Sequence, residues 1–234
     1  AEVPIIVLAV REEEDLKALL PEFWDTEEQF HPVGIFRDGV DKHFIALRLD
    51  VPGRQSRRTL YHEFFHVVGR LNLPGMPTWL NEGLAEFWER TEIRGSTVEI
   101  GSPHRPHLRT LRNRDLIPLE RLLFVDERSP EYREVDRAEL FYAQSWALAH
   151  YLMVGHGSVS GDERLAAYLD MLRQGASPRE ASRRAFGDPA DLENRLRAYL
   201  SGGRFPTLRM ETIPSPEIRE FTYRRLARAE VDAI

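Results

Sequence analysis

The chain has 234 residues, of which 42% are hydrophobic and 30% charged, and its formal net charge is -6. This composition predicts one globular domain, or one domain with an extension, without a run of about 20 apolar residues that could span a membrane. The acidic balance argues against a dedicated nucleic-acid binder, which needs a clustered basic surface. Because the chain has no cysteine, disulfides and thiolate metal sites are excluded, and any metal must be held by histidines and carboxylates.

The N-terminal part predicts a small sheet with one short helix. The apolar run at residues 4–10 is typical of a buried strand, and residues 12–20 predict a helix. The Asp38-Gly39 turn signal lies between Gly34–Arg37 and residues 43–51, so that these two segments predict an antiparallel hairpin. A signal peptide cleaved after a small residue would leave the alanine at position 1, but so would a shortened chain, and export is therefore kept only as an alternative.

Two helices at about residues 56–90 carry the most informative pattern. In the first helix, which contains HEFFH, the apolar residues recur at helical spacing. The loop LNLPGMP ends it, because its prolines and glycine cannot continue a helix. Thr78 can cap a second helix, which contains WLNEGLAEF and runs to about Arg90.

The remainder of the chain is predicted to be mainly helical. Residues 94–114 are rich in Gly, Ser, Pro, His and Arg, which predicts a hairpin or a long loop near the site. Further helices are predicted at residues 138–154, 162–174, 178–186, 189–200 and 216–229. The sequence thus predicts an α+β fold, with residues 1–201 as the main domain and 202–234 as a C-terminal helical extension.

The pattern HEFFH predicts a metal site. His62 and His66, four residues apart on a helix, differ by about 40° in direction and about 6 Å in rise, so both imidazoles can reach one ion. Glu63 lies about 100° around the helix from His62, where it can act as the general base on a water. Glu82, sixteen residues after His66, is the candidate third ligand, and two His with one carboxylate predict Zn²⁺ with an open fourth position. Manganese or cobalt would suit the same ligands.

Two neighbours of Glu82 are candidates for orienting the site. Glu86 follows one helical turn later and is predicted to accept the free N–H of a ligand imidazole, with a plain surface carboxylate as the alternative. Asn81 is predicted to help through its amide, unless it is simply a first-turn residue.

HEFFH followed by WLNEGLAEF, together with the later FYAQSWALAHYL, resembles the gluzincin zinc metallopeptidases, and in particular the peptidase MA-like domain proteins. The resemblance covers residues 55–155 and extends loosely to about residue 200. It implies a zincin-type helix pair, hydrolysis of peptide bonds, and a peptide or protein as substrate. In related aminopeptidases a tyrosine about sixty residues after the glutamate ligand stabilises the oxyanion, which implies this role for Tyr142. A half-buried core tyrosine is the alternative.

The same resemblance bears on how the substrate is held. In the wider clan, the edge strand before the active-site helix pairs with the substrate backbone, which implies this role for residues 43–51. The Gly-rich strand that binds the substrate amine in the aminopeptidases is not evident in GIFRDGVDKHFIALRLD, so the choice between endopeptidase and aminopeptidase stays open.

Other candidate residues are assigned to packing or solvent. His150 is predicted to be a core histidine rather than part of the cleft. His104 and His107 are predicted to lie in a solvated loop, with a second ion site or a substrate contact as the alternative. A core role is predicted for five aromatic residues: Phe64, Phe65, Trp79, Trp88 and Trp146.

Two other functions remain alternatives to a peptidase. One is a zinc-binding scaffold that no longer cleaves, against which the presence of Glu63 argues, since metal binding does not need it. The other is a zinc hydrolase of a non-peptide amide or ester, for which the same residues would serve. Oligomeric state and compartment are left open by the sequence.

Overall fold

The structure, a computed structural model, describes residues 4–24, 31–39, 41–155, 162–211 and 224–226. The described residues confirm the predicted α+β class, with small sheets near the N-terminus and a mainly helical C-terminal half. In chain order the strands are β1 (Ile5–Val10), β2 (Gly34–Arg37), β3 (His43–Arg48), β4 (Glu92–Arg94), β5 (Thr97–Ile100) and β6 (Leu208–Glu211). The helices are α1 (Glu13–Leu19), α2 (Gln55–Asn72), α3 (Thr78–Glu89), α4 (Arg105–Asn113), α5 (Leu119–Leu122), α6 (Pro130–Arg133), α7 (Val135–Val154), α8 (Glu163–Arg173), α9 (Pro178–Phe186) and α10 (Pro189–Gly202).

The first sheet has the order β1-β3-β2. β3 pairs in parallel with β1 and antiparallel with β2, which confirms the predicted hairpin. The prediction that residues 4–10 form a buried strand was wrong: β1 is an edge strand that alternates between more and less exposed residues, because only one of its faces packs on the protein. The assignment of substrate pairing to residues 43–51 was wrong as well, since β3 is central and its backbone is already paired on both sides.

Helix α2 packs on this sheet through a narrow apolar stripe. Val67 is buried against Ile45 and Leu47, with Leu60 packed beside them. The predicted core position of Phe64 was wrong, because its side chain is 47% exposed, and Val68 and Leu71 on the same side are exposed too. The apolar pattern of α2 is therefore wider than the face that the sheet and the next helix cover.

Helix α7 is the centre of the core, and α3 packs directly on it. The backbones meet at Gly83, where a Cβ atom would lie 2.3 Å from the carbonyl oxygen of Ser145. Trp79 on α3 and Trp146 on α7 are fully buried, as predicted, and Phe65 and Trp88 pack partly buried against the same core. Only a residue without a side chain allows this approach, so Gly83 fixes the position of α3 on α7.

Residues 92–113 form a hairpin and a helix, where a hairpin or a long loop was predicted. β4 and β5 are antiparallel, and β6 pairs with the other edge of β5. The chain then turns at Gly101, whose φ of +76° places it in the left-handed region and whose hydrogen atoms face the ring of Phe87. This turn leads directly into α4, which packs on α7.

The C-terminal helices begin where the sequence predicts them. The side chains of Asp162, Ser177 and Asp188 each accept a hydrogen bond from a backbone N–H in the first turn of α8, α9 and α10. The domain boundary at 201/202 stays a prediction, and β6, which follows it, pairs with β5. The predicted helix at 216–229 lies outside the described residues except for 224–226, which are not helical. No described helix is long and apolar enough to cross a membrane.

His150 is a core histidine, as predicted, with no exposed surface. Its Nε2 lies 2.9 Å from the carbonyl oxygen of Gly101, and its Nδ1 lies 2.8 Å from the hydroxyl of Tyr199. Since a carbonyl can only accept, Nε2 donates to Gly101. Burial lowers the pKa of His150 to about 4, so the imidazole is neutral near pH 7 and its Nδ1 accepts from the hydroxyl of Tyr199.

Candidate metal centre

The two histidines of α2 and the first glutamate of α3 converge on one point. The Nε2 atoms of His62 and His66 lie 3.3 and 3.7 Å from Oε2 of Glu82. Their rings are 4.8 Å apart and nearly perpendicular. A tetrahedral zinc with bonds of about 2.1 Å separates its ligand atoms by about 3.4 Å, so the donor types and the spacing fit a zinc ion. The structure therefore brings together the three residues predicted as ligands.

The charges at this point are almost completely buried. Glu82 is 4% exposed. Burial alone would raise its pKa, but the charge of His66 and the hydrogen bond with His62 outweigh burial and leave the pKa below its ordinary value. Burial likewise lowers the pKa of His62, and hydrogen bonds to Glu82 and Glu89 reverse this, so that the pKa lies well above its usual range. A compact arrangement of buried, oppositely charged groups of this kind is typical of a functional site.

Glu63 lies between the two histidines and the first sheet. Its side chain is 6% exposed, and burial raises its pKa, against which the charges of His62 and His66 act. The backbone N–H of Phe36, on β2, donates to its carboxylate. β2 can run this close because Gly34 has no side chain: a Cβ there would lie 2.3 Å from Thr59 and 3.3 Å from Cγ of Glu63. The carboxylate is thus held beside β2, one of the two edge strands of the described sheet.

The second oxygen of Glu82 is held by a tyrosine that the sequence analysis missed. The hydroxyl of Tyr132, on the short helix α6, donates to Oε1 of Glu82 over 3.3 Å. The negative charge of Glu82 and burial raise the pKa of Tyr132 well above its ordinary value. Oε2, the atom that faces the histidines, is left for a metal. Nothing in the sequence around Tyr132 marks it, because it reaches the site only through the packing of α6 on α7.

Tyr142 lies behind Tyr132 rather than against the histidines. The two rings are 6.0 Å apart, and the hydroxyl of Tyr142 is hydrogen-bonded to that of Tyr132. Burial, followed by the charge of Glu82, raises the pKa of Tyr142 well above its usual value, which keeps the phenol protonated and able to donate. Tyr142 is therefore close to the candidate centre, at the start of a hydrogen-bond chain that runs through Tyr132 to Glu82.

The residues around the ligand imidazoles differ in part from those predicted. Nδ1 of His62 lies 3.6 Å from Oε2 of Glu89, a residue not singled out in the sequence. Glu86, predicted for this position, also comes within 4.8 Å of His62, but its hydrogen bond is made to His107. Asn81 lies at the contact of α3 with α2, where a Cβ on Gly69 would be 3.4 Å from its amide oxygen. The spacing of Glu89, seven residues after Glu82, was the signal that could have identified it.

His104 and His107 were predicted in a solvated loop, and this was wrong. His107 is buried in the first turn of α4, and its Nε2 donates to Oε2 of Glu86 over 2.9 Å. Nδ1 of His104 is 3.7 Å from the same oxygen, and the two imidazole rings are 3.8 Å apart. Burial, followed by the charge of His107, lowers the pKa of His104 to about 3. The Pro-rich sequence starts a helix here instead of extending a loop, because proline is accepted in the first turn.

Three groups of His and Glu in the described part of the chain have donor atoms within 4.8 Å of one another. They are His62–His66–Glu82, Glu86–His104–His107 and His62–Glu86–Glu89. The donor types and the spacing of each group suit a metal ion.

Comparison with known proteins gives one match. Residues 61–173, just under half of the chain, match the model of a family described as "Protein of unknown function (DUF1570)". No curated protein and no solved structure matches the chain. The matched segment contains all members of the three His and Glu groups, together with Tyr132 and Tyr142. The chain is thus similar to this family over the segment that carries the whole candidate centre.

Proposed function

We propose that this protein is a zinc-dependent peptidase of the gluzincin type. The observation that carries the proposal is the convergence of His62 Nε2, His66 Nε2 and Glu82 Oε2, at separations that fit a tetrahedral ion, beside the buried carboxylate of Glu63. Two histidines and one carboxylate are a ligand set of catalytic rather than structural zinc, because a fourth position stays open. When bound, zinc would supply Lewis acidity toward a carbonyl and would lower the pKa of a coordinated water.

Glu63 is the proton carrier in this proposal. Its carboxylate takes a proton from the attacking water and later delivers it to the leaving amine. The position of Glu63 suits this role, since its buried carboxylate lies next to the two ligand histidines and is not itself one of the converging donors. The backbone N–H of Phe36 fixes the carboxylate, so its orientation is set before the substrate arrives.

The two tyrosines have different roles. Tyr132 holds Oε1 of Glu82 and so orients this ligand. Tyr142 is the donor to the oxyanion that develops on the attacked carbonyl, for which its partly buried, protonated phenol is suited. In this role its hydroxyl leaves Tyr132 and turns toward the substrate.

β2 supports a peptide as the substrate, over a non-peptide amide or ester. In the described part of the sheet, β2 is paired on one side only, so the other side offers backbone groups other than the N–H of Phe36, which donates to Glu63. This edge lies directly beside Glu63. An extended peptide that pairs with β2 would have its backbone next to the general base, whereas a small ester would leave those groups unused.

Because the two tyrosines have different roles, replacing each by phenylalanine is expected to affect a different quantity, either zinc affinity or kcat. Tyr132→Phe removes the hydrogen bond on Glu82 and is expected to weaken zinc binding about 10- to 100-fold. Tyr142→Phe is expected to leave zinc affinity nearly unchanged and to lower kcat about 100- to 1000-fold, because an oxyanion donor is lost. Zinc affinity is measured by competition with a chelator and kcat at saturating zinc. If Tyr142→Phe weakened zinc binding as much as Tyr132→Phe and left kcat intact, Tyr142 would act only through Tyr132.

The proposed function is tested first by hydrolysis of a peptide library. The zinc-loaded protein is expected to cleave peptides, whereas His66→Ala is expected to lose both the cleavage and the zinc of this site. Addition of a chelator should abolish cleavage, and added zinc should restore it. His31→Ala, outside the three groups, is the matched control and should behave as the original chain. Zinc binding without any cleavage would favour a scaffold, and cleavage of small esters but not of peptides would favour the non-peptide hydrolase.

A further inference from the structure

A second group of metal donors lies beside the candidate catalytic centre, formed by Glu86 of α3 and by His104 and His107 at the start of α4. Nε2 of His107 and Nδ1 of His104 lie 2.9 and 3.7 Å from the same oxygen of Glu86. These separations bracket the roughly 3.4 Å expected between ligands of a tetrahedral zinc. The sites share no donor atom, because the first is built on Oε2 of Glu82 and the second on Oε2 of Glu86.

The surroundings of this group favour an ion over a simple hydrogen bond. Nδ1 of His104 is buried and has no hydrogen-bond partner, although it faces Glu86. Leaving such an atom unpaired costs free energy, and a metal ion would pair with it. His107 and Glu86 are buried as well. Trp146, whose indole nitrogen is also buried without a hydrogen bond, lies close to His107 and closes the site on the side of α7.

The buried charges of this region also favour a bound cation. Four buried carboxylates lie on two neighbouring helices: Glu63, Glu82, Glu86 and Glu89. Arg90, at the end of α3, is the positive side chain whose charge interacts with Glu86 and Glu89. Arg90 alone brings one positive charge against the two carboxylates with which it interacts. Because uncompensated charge is costly in a buried place, a cation bound at Glu86 would offset negative charge there.

The local fold holds the two histidines in place. The left-handed turn at Gly101 brings the chain across Phe87, and α4 starts four residues later. His104 is the residue before the helix and His107 lies in its first turn, so their rings meet edge to face, and both approach the same oxygen of Glu86. The donors thus come from two elements that pack on α7, and the site does not depend on an exposed loop.

We propose that Glu86, His104 and His107 bind a second divalent metal ion, with zinc as the best match to two imidazoles and one carboxylate. This ion is separate from the one proposed at His62, His66 and Glu82, and its binding does not require the protein to be a peptidase. Glu86 also comes within 4.8 Å of His62, so the second ion lies next to the first centre and links the start of α4 to α3.

The test is the zinc content of the purified full chain after loading with zinc and removal of the excess. About two zinc ions per chain are expected in the original protein, about one in His104→Ala and about one in His66→Ala. The double variant is expected to hold none. His104→Ala is the mildest change, since the Nδ1 atom that it removes has no hydrogen-bond partner. His31→Ala is the control and should keep two, and circular dichroism should show that each variant is folded.

Each result separates this proposal from the proposed function. One zinc per chain that is lost in His66→Ala and kept in His104→Ala and His107→Gln would overturn the second site and leave the first. One zinc that is lost in His104→Ala and kept in His66→Ala would support the second site and overturn the first. No zinc in the loaded original chain would overturn both. If His104→Ala were unfolded, the same comparison with His107→Gln would decide.

Discussion

Replacing Glu63 by glutamine is expected to lower kcat/KM for peptide cleavage about 100- to 10,000-fold while the zinc content stays the same. Glutamine has the shape of glutamate and can still accept the hydrogen bond from the N–H of Phe36. It cannot take a proton from water, so only the transfer step is lost. Because Glu63 is not among the three residues of the proposed first metal site, zinc affinity should not fall. The measurement is kcat/KM on a cleaved library peptide, with zinc determined on the same sample.

Glu120→Gln is the matched control for this change. Glu120 is exposed on α5, so the same loss of one charge occurs at the surface. Its activity is expected to equal that of the original chain. If Glu63→Gln retained full activity with its zinc in place, Glu63 would not be the base. If it lost zinc together with activity, Glu63 would have to be a ligand.

Replacing Gly83 by alanine is expected to lower the free energy of unfolding by about 3 kcal/mol. The added Cβ would lie 2.3 Å from the carbonyl oxygen and 2.7 Å from the carbonyl carbon of Ser145, both in the backbone of α7. Backbone atoms cannot turn aside as a flexible side chain can, so α3 must move away from α7. The loss should exceed the gain of up to about 1 kcal/mol that alanine brings to a helix. Urea unfolding followed by circular dichroism measures the difference.

Gly202→Ala provides the control for the helix propensity. Gly202 is also helical, at the end of α10, and a Cβ there would meet nothing within 4 Å. We expect this variant to be as stable as the original chain or slightly more stable. Equal stabilities of Gly83→Ala and Gly202→Ala would contradict the close contact of α3 with α7. Gly83 follows Glu82 directly, so a loss of zinc affinity should accompany the loss of stability in the first variant only.

The fold was predictable where local patterns decide it. The hairpin of β2 and β3, the helices α2 and α3, and the capped helices α8 to α10 follow from turn residues, apolar spacing and caps. The convergence of His62, His66 and Glu82 was also expected, because spacing on one helix and a short loop to the next restrict their positions strongly. These expectations concern residues that are near in sequence.

The rest depends on packing between distant segments. The sequence does not show that β3 is central, which moves the free edge from residues 43–51 to β2. It does not show which part of the apolar pattern on α2 is covered, so Phe64 was placed in the core. Tyr132 and the pair His104 and His107 reach their partners only after α6 and α4 pack against α7. Contacts of this kind form only in the tertiary structure, and no local sequence pattern predicts them.

The side of β2 that has no partner strand among the described residues has a consequence beyond the chemistry of the site. Backbone groups that are open to a substrate are open to any other strand, including one from a second copy of the chain, and such edges promote aggregation. β2 limits this in two ways: it has only four residues, and it ends at Arg37, which forms an ion pair with Glu22. A short edge with a charge at its end can accept a few residues of extended peptide, but it is a poor template for the growth of a larger sheet.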